Sequence, residues 1–234
     1  GQKIFITAGE HDLSDNIIHL VLAKLPDAPP GVKGISLFLI PKILVNDDGS
    51  LGDRNGVTCV SIEEKMGVHG SPTCVLSFDN SVGYLVGEPH KGLEAMFSMM
   101  NNERIAVGMQ GLGVAEISYQ NALLYAKDRL QGRDLKGAKK PSEEADPLLV
   151  HPDIRRMLLR AKALIDSSRM LSAWTALAID KSVKDPDAKV RKANHDLVEL
   201  MTPIIKSILT DYGVEISSEM LQIFGGHGYI REYG

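Results

Sequence analysis

The residues in this sequence whose types and spacing can do chemistry fall into a few short runs. One is Gln222-Ile223-Phe224-Gly225-Gly226-His227-Gly228-Tyr229, a glycine-rich segment that closes an apolar helical pattern. Bare backbone at Gly225 and Gly226 lets a nucleotide approach closely, and Gln222 supplies an amide. The same run is also what a helix needs to stop, a left-handed glycine followed by a turn. It is not a dinucleotide-binding fingerprint, which follows a strand rather than a helix. A second run is Asp128-Arg129-Leu130-Gln131-Gly132-Arg133. An arginine there complements the negative end of a helix dipole, or presents a fork of donors to a phosphate. A third is Asn101-Asn102-Glu103-Arg104, a polar cluster on an otherwise apolar helix. A buried arginine is costly unless paired. Arg104 therefore pairs with a carboxylate such as Glu103, faces a polar cavity, or lies on the surface.

Other candidates fall away. Asp47, Asp48 and Asp53 lack the alternating oxygen spacing of a calcium loop and read as a solvated hairpin loop. His227 has no partner at metal-ligand spacing, and no Ser-His-Asp or Cys-His constellation is legible. No metal site is expected. The net charge of -4 gives no reason to expect nucleic acid or an anionic membrane as partner. Cys59 and Cys74 have no CxxC spacing and read as reduced thiols of an intracellular protein. No run reaches the ~20 apolar residues of a membrane span.

The elements that position these residues are legible from periodicity. Lys91 to Arg133 repeats apolar or small residues at Leu93, Phe97, Met100, Val107, Gly111, Ala115, Ala122 and Ala126, one face of a helix spanning on the order of 50 Å. Gly108, Gly111 and Gly113 inside it each cost up to ~1 kcal/mol, which implies something packed close to the backbone. That something is another helix, another subunit or a ligand. Before this helix the chain reads as strands over 3–7, 17–25, 34–41, 57–63 and 73–78, with 84–87 leading onward and a polar loop over 46–56. After it come a charged loop over 137–147, a second helix from Pro152 to about Lys181, and a third helical region from Asp185 that Pro203 should kink or divide. The expected fold is α+β: a partial antiparallel β domain, sandwich or barrel, over residues 1–90, then a helical bundle over 91–234. The chain opens without methionine at the edge of a strand and stops just after a glycine-rich turn, so an interior piece of a longer protein is expected.

Taken together, KIFIT, FDNSVGYLVGEPHKGLEAMF, NNERIAVGMQGLGVAEISYQNALLYAKDRLQGR and LQIFGGHGYIREYG resemble, in order and spacing, the acyl-CoA dehydrogenases, a family of flavoproteins. The charged insert before HPDIRRML further resembles the bacterial branch that acts on 3-methylmercaptopropionyl-CoA and related thioesters. The resemblance implies that residues 91–234 are an up-down four-helix-bundle domain truncated before its end. It implies FAD as cofactor and an acyl-CoA substrate. It implies α,β-dehydrogenation to the 2-enoyl-CoA, with the α-proton taken by a carboxylate and the β-hydrogen leaving as hydride to the flavin. It also implies an acceptor such as an electron-transferring flavoprotein, a homodimer or homotetramer, and a cytoplasmic location. By motif position Phe5, Ile6 and Thr7 lie along the flavin ring. Phe5 stands where the family commonly has tryptophan. Arg129 and Gln131 match contacts to the FAD pyrophosphate and adenosine part from a neighbouring subunit. Gln222, Gly225 and Gly226 match a second contact across that interface, and Arg104 matches a residue near the acyl-CoA site. No catalytic residue is assigned: the family's glutamate sits in a YEGT-like motif expected beyond Gly234, and Glu232 does not match it. The piece alone is expected to be inactive. The competing readings are an acyl-CoA oxidase-like enzyme and a non-catalytic homologous oligomerisation scaffold.

Overall fold

The computed structural model describes residues 1–233. The chain splits into two compact units, Gly1–Met99 and Met100–Gly234. The first unit is built of antiparallel strands: β1 (Gln2–Thr7), β2 (Ile18–Lys24), β3 (Ile35–Pro41), β4 (Ile43–Val45), β5 (Leu51–Arg54), β6 (Val57–Ile62), β7 (Thr73–Phe78) and β8 (Tyr84–Val86). They form sheets in the orders β1-β7-β6 and β2-β3-β8 and a ribbon of β4 with β5. Burial alternates along β2, with His19 and Val21 inside and Ile18 and Leu20 outside, the period-two pattern of a half-covered sheet. Val21, Ile40 and Val57 make a small core with Phe38 and Phe78 packed on it.

The polar stretch over 46–56 is more ordered than the solvated loop expected of it. Residues 51–54 pair with β4 as β5, and Asn55 is buried. The Asn55 side chain donates to the carbonyls of Pro41 and Val82, both at 2.8 Å, and accepts from the amides of Gly56 and Val82. It satisfies the backbone where the sheet turns, which is why a polar residue sits inside. Polarity alone does not distinguish such a keystone from a solvated residue.

The second unit is helical. Three long helices of the expected bundle are present among the described residues: α1 (Gly92–Asp128), α2 (Pro152–Lys184) and α3 (Ala188–Ile223). Leu112, Ala115, Ala122 and Ala126 from α1 meet Met157, Leu158, Ala161 and Ile165 from α2 and Ile205, Leu209, Ile216 and Met220 from α3 in one core. Each large aliphatic buried there contributes roughly 1.5–3 kcal/mol. The α1 face drifts from the one read off the sequence. Ala115, Ala122 and Ala126 are buried as expected, but Phe97 and Val107 are exposed and Met96, Gly108 and Leu112 are inside. A 3.6-residue helix rotates against any fixed spacing over this length.

Pro203 does not divide α3, which runs unbroken through it. Met201, Thr202, Ile205 and Leu209 are buried on either side. That burial outweighs the ~3 kcal/mol a proline costs inside a helix. Gly108 and Gly111 of α1 find their reason in helix packing. A methyl group on Gly111 would stand 2.4 Å from the Leu209 carbonyl oxygen, and one on Gly213 would stand 3.0 Å from the Gly111 carbonyl oxygen, so α1 and α3 cross backbone to backbone. Gly113 has nothing within 4 Å. No described helix is long and apolar enough to cross a membrane.

Candidate functional site

The end of the helical unit gathers five of the residues singled out above into one cleft of about 340 Å³: Arg129, Gln131, Gln222, Gly225 and Gly226. Helix α1 stops at Asp128, and the Arg129 amide still donates to the Tyr125 carbonyl at 2.8 Å. The guanidinium is exposed, and no carboxylate of the described residues pairs with it. From the opposite side comes the end of α3. Gly225 takes the left-handed conformation (φ +56°) that a helix stop requires, and residues 225–229 continue as a short 3-10 turn. Gly226 has neither reason: its φ is not positive, and a methyl group there would meet nothing within 4 Å. Neither this chain's packing nor its backbone requires glycine at 226.

The cleft wall also contains Tyr125, Phe224 and His227, to which the sequence assigned no ligand role. Tyr125 stacks on Phe224 with ring centroids 4.5 Å apart, and its hydroxyl bonds His227 Nδ1 at 2.8 Å. His227 in turn stacks on Tyr233 at 4.4 Å. The Tyr229 hydroxyl donates to Gln222 Oε1 at 2.7 Å, which leaves the Gln222 amide nitrogen as the end that can serve a ligand. Tyr125 sits one helical turn before Arg129, and that i, i+4 spacing was the available signal.

Behind Arg129 and Gln131 lies a loop whose centre is Asp146, 0% exposed. Its carboxylate accepts the amides of Asp134 (3.0 Å), Lys139 (2.9 Å) and Lys140 (2.7 Å) and faces the Arg133 guanidinium at 3.4 Å. Burial alone would raise its pKa. The three amides and the Arg133 charge outweigh that and hold it at about 2. The stretch over 137–147, read from sequence as a charged loop, is therefore organised around a buried anion.

In the first unit, Ile6 and Thr7 line an apolar cavity of about 460 Å³ together with His19, Leu22, Phe78 and Met96. Phe5 does not line it. A register shift between Lys3 and Ile6 in the pairing with β7 puts Phe5 at φ +58° and leaves it 67% exposed. His19 is 8% exposed, its Nε2 has no hydrogen-bond partner among the described residues, and its ring meets Phe78 edge-on at 5.9 Å. Burial lowers its pKa; nearby Glu10 opposes this, and Lys42 and His11 add to it. Arg104 is half-buried on α1 and lines neither cavity. It lies about 37 Å before Arg129 along the helix direction, so the two arginines serve separate places. Among the described residues no cluster of three or more His, Cys, Asp or Glu is placed to hold a metal ion.

Comparison with known proteins identifies the family. The model of the acyl-CoA dehydrogenase C-terminal domain matches residues 90–234. The chain is 48% identical over its whole length to 3-methylmercaptopropionyl-CoA dehydrogenase of Ruegeria pomeroyi and spans 39% of that protein. It is 41% identical to a butyryl-CoA dehydrogenase of Syntrophomonas wolfei, again over 100% of this chain and 39% of the relative. Among solved structures, butyryl-CoA dehydrogenase from Megasphaera elsdenii superposes with a TM-score of 0.73 at 29% identity, over 100% of this chain and 51% of that one. An α+β fold with this helical unit, a family match over most of the chain and a 48% identical relative lead to one conclusion: the chain belongs to the acyl-CoA dehydrogenase family.

Proposed function

We propose that the protein carrying this chain is an FAD-dependent dehydrogenase that oxidises an acyl-CoA thioester to its 2-enoyl-CoA, and that this chain contributes two parts of its cofactor site. The observation that carries the reading is the convergence of Arg129, Gln131, Gln222, Gly225 and Gly226 on one cleft. The donor set fits a dinucleotide. An unpaired guanidinium suits a phosphate, side-chain amides suit an adenosine edge, and the open backbone at Gly226 admits a close approach. Arg129 and Gln131 would hold the pyrophosphate and adenosine part, with Gln222, Gly225 and Gly226 against it. In the first unit, the apolar cavity lined by Ile6 and Thr7, with exposed Phe5 nearby in sequence, suits the edge and face of the ring system. When bound, FAD supplies the two-electron acceptor.

What this chain's own residues do is bind, orient and exclude water. Thr7 can donate its hydroxyl into the cavity, and Leu22, Phe78 and Met96 keep that cavity apolar. Arg104, which lines neither cavity, is assigned to the acyl-CoA side by its motif position alone. The base is not assigned to any described residue, and we infer that the 234-residue chain does not turn over thioesters alone. We further infer a homodimer or homotetramer, since the family's cofactor contacts at these positions cross a subunit interface. The inferred acceptor is an electron-transferring flavoprotein, and the inferred location is the cytoplasm. The test is anaerobic oxidation of butyryl-CoA and 3-methylmercaptopropionyl-CoA by the whole protein with an artificial electron acceptor. Appearance of the enoyl-CoA absorbance is expected. No product from either thioester, in a preparation that holds FAD, would count against the dehydrogenase reading.

A further inference from the structure

The loop behind the cleft does more than close the gap between α1 and α2. The segment Arg129–Gly132 is fixed by the returning segment of residues 146–148, whose Leu148 also lines the cleft. The Gln131 amide donates to the Asp146 carbonyl at 2.8 Å, the Asp146 amide donates to the Gly132 carbonyl at 2.9 Å, and the Leu148 amide donates to the Arg129 carbonyl at 2.9 Å. Leu130 and Pro147 complete the ladder as a β-bridge. His151 Nε2 meets the Gln131 carbonyl at 2.7 Å, and its ring packs beside Gly132. The returning strand is itself held by the Asp146 side chain, which collects the amides of Asp134, Lys139 and Lys140 and the Arg133 guanidinium. Arg133 also donates to the carbonyls of Lys140 and Glu143, so the excursion over 133–145 is wound about one carboxylate.

We propose that Asp146 is a positioning residue for the cofactor cleft: by winding the 133–145 excursion about its carboxylate, it sets the main-chain register that aims Arg129 and Gln131 at the phosphates. This rests on the functional reading above. The chain needs such a device here. Arg129 follows the last helical residue, where exposed carbonyls carry partial negative charge that repels an anion. Only a fixed side-chain donor overcomes that, and a frayed helix end does not fix one. Aiming is therefore supplied from outside the helix. Asp146 touches no ligand, and its effect passes wholly through the backbone of Arg129–Gly132.

The experiment is a double-mutant cycle on FAD affinity, read by flavin fluorescence on apo-protein of the whole chain. Asp146→Asn puts an amide nitrogen among three backbone donors and should weaken FAD binding about tenfold, equivalent to 1.4 kcal/mol. In the Arg129→Ala/Gln131→Ala background the same substitution should shift affinity less than twofold, since the groups it aims are gone. An equal loss in both backgrounds would make Asp146 merely structural and overturn the proposal, as would no loss in either. Should Asp146→Asn fail to fold, Arg133→Ala removes the half-exposed partner instead and should give about a threefold loss with the same non-additivity. Amide hydrogen exchange separates this inference from the functional one. The variant should expose the Gln131 amide within an otherwise protected bundle, and unchanged protection there would sink the positioning role. Failure of the unsubstituted protein to bind FAD would instead strike the functional reading.

Discussion

His19 is the residue whose chemistry is least settled by its own surroundings. Its ring is buried beside Phe78, and Nε2 lacks a partner among the described residues. An orphaned polar atom of this kind costs about 1–3 kcal/mol. Replacement by an apolar ring of similar size should recover part of that, so His19→Phe is expected to stabilise this chain by about 1 kcal/mol at neutral pH in urea unfolding. The pH dependence has a definite sign. Burial lowers the folded pKa below 6.5, so as pH falls through 6.5 the unfolded chain takes up a proton that the folded one refuses. Native stability should decline below that pH, and the His19→Phe variant should lack this component. Equal slopes between pH 7.5 and 5.5 would show that the ring is not held neutral. The Asp146 carboxylate behaves oppositely in origin and alike in sign. Held at about 2 against an ordinary 3.8, it contributes stability that is complete above pH 3.8 and lost as pH falls toward 2. The amide resonances of Asp134, Lys139 and Lys140 should therefore stay native-like to below pH 4 and shift together beneath it. Movement beginning near pH 5 would contradict this assignment.

The crossing of α1 with α3 is a prediction for elements rather than for single side chains. Gly111→Ala would drive a methyl group to 2.4 Å from the Leu209 carbonyl oxygen and should cost about 1–3 kcal/mol, the range for an overpacked interior. Gly113→Ala, two residues on, meets nothing within 4 Å and should be neutral or stabilising by up to ~1 kcal/mol through helix propensity. Equal effects on the urea midpoint would mean that the close approach is not what holds glycine at 111. Much of this architecture was legible beforehand, because 3.6- and 2-residue periodicities are imposed by burial. The strands β1, β2, β3, β6 and β7 and all three helices lie within a few residues of where periodicity puts them. What periodicity could not reveal was anything decided by a single polar contact. Asn55 ties the end of β3 to the backbone at Gly56 and Val82, and the 129–151 loop is wound about Asp146. The cleft was partly legible for the same reason. Glycines and an arginine at helix ends stand out, whereas Tyr125, Phe224 and His227 look like ordinary helix and turn residues until the fold brings them together.

On the scale of the whole molecule, the chain spans 39% of the Ruegeria pomeroyi relative, and its two units each carry a separate piece of the proposed site. The account turns on whether the cleft at the end of the helical unit holds the phosphates of FAD. Arg129 decides that question, because its guanidinium is the one cleft donor with full charge and lysine cannot copy its bidentate fork. In the whole protein, Arg129→Ala should weaken FAD retention by roughly 1.5–3 kcal/mol, the worth of a hydrogen bond to a charged group. A residue that merely complemented the helix dipole would be worth nearer 0.3–1 kcal/mol and would leave flavin content alone. The direct measurement is the flavin-to-protein absorbance ratio after gel filtration of the variant beside the unsubstituted protein. The account predicts a clear loss of flavin from Arg129→Ala, persisting in Arg129→Lys, and an unchanged ratio in both variants would contradict it.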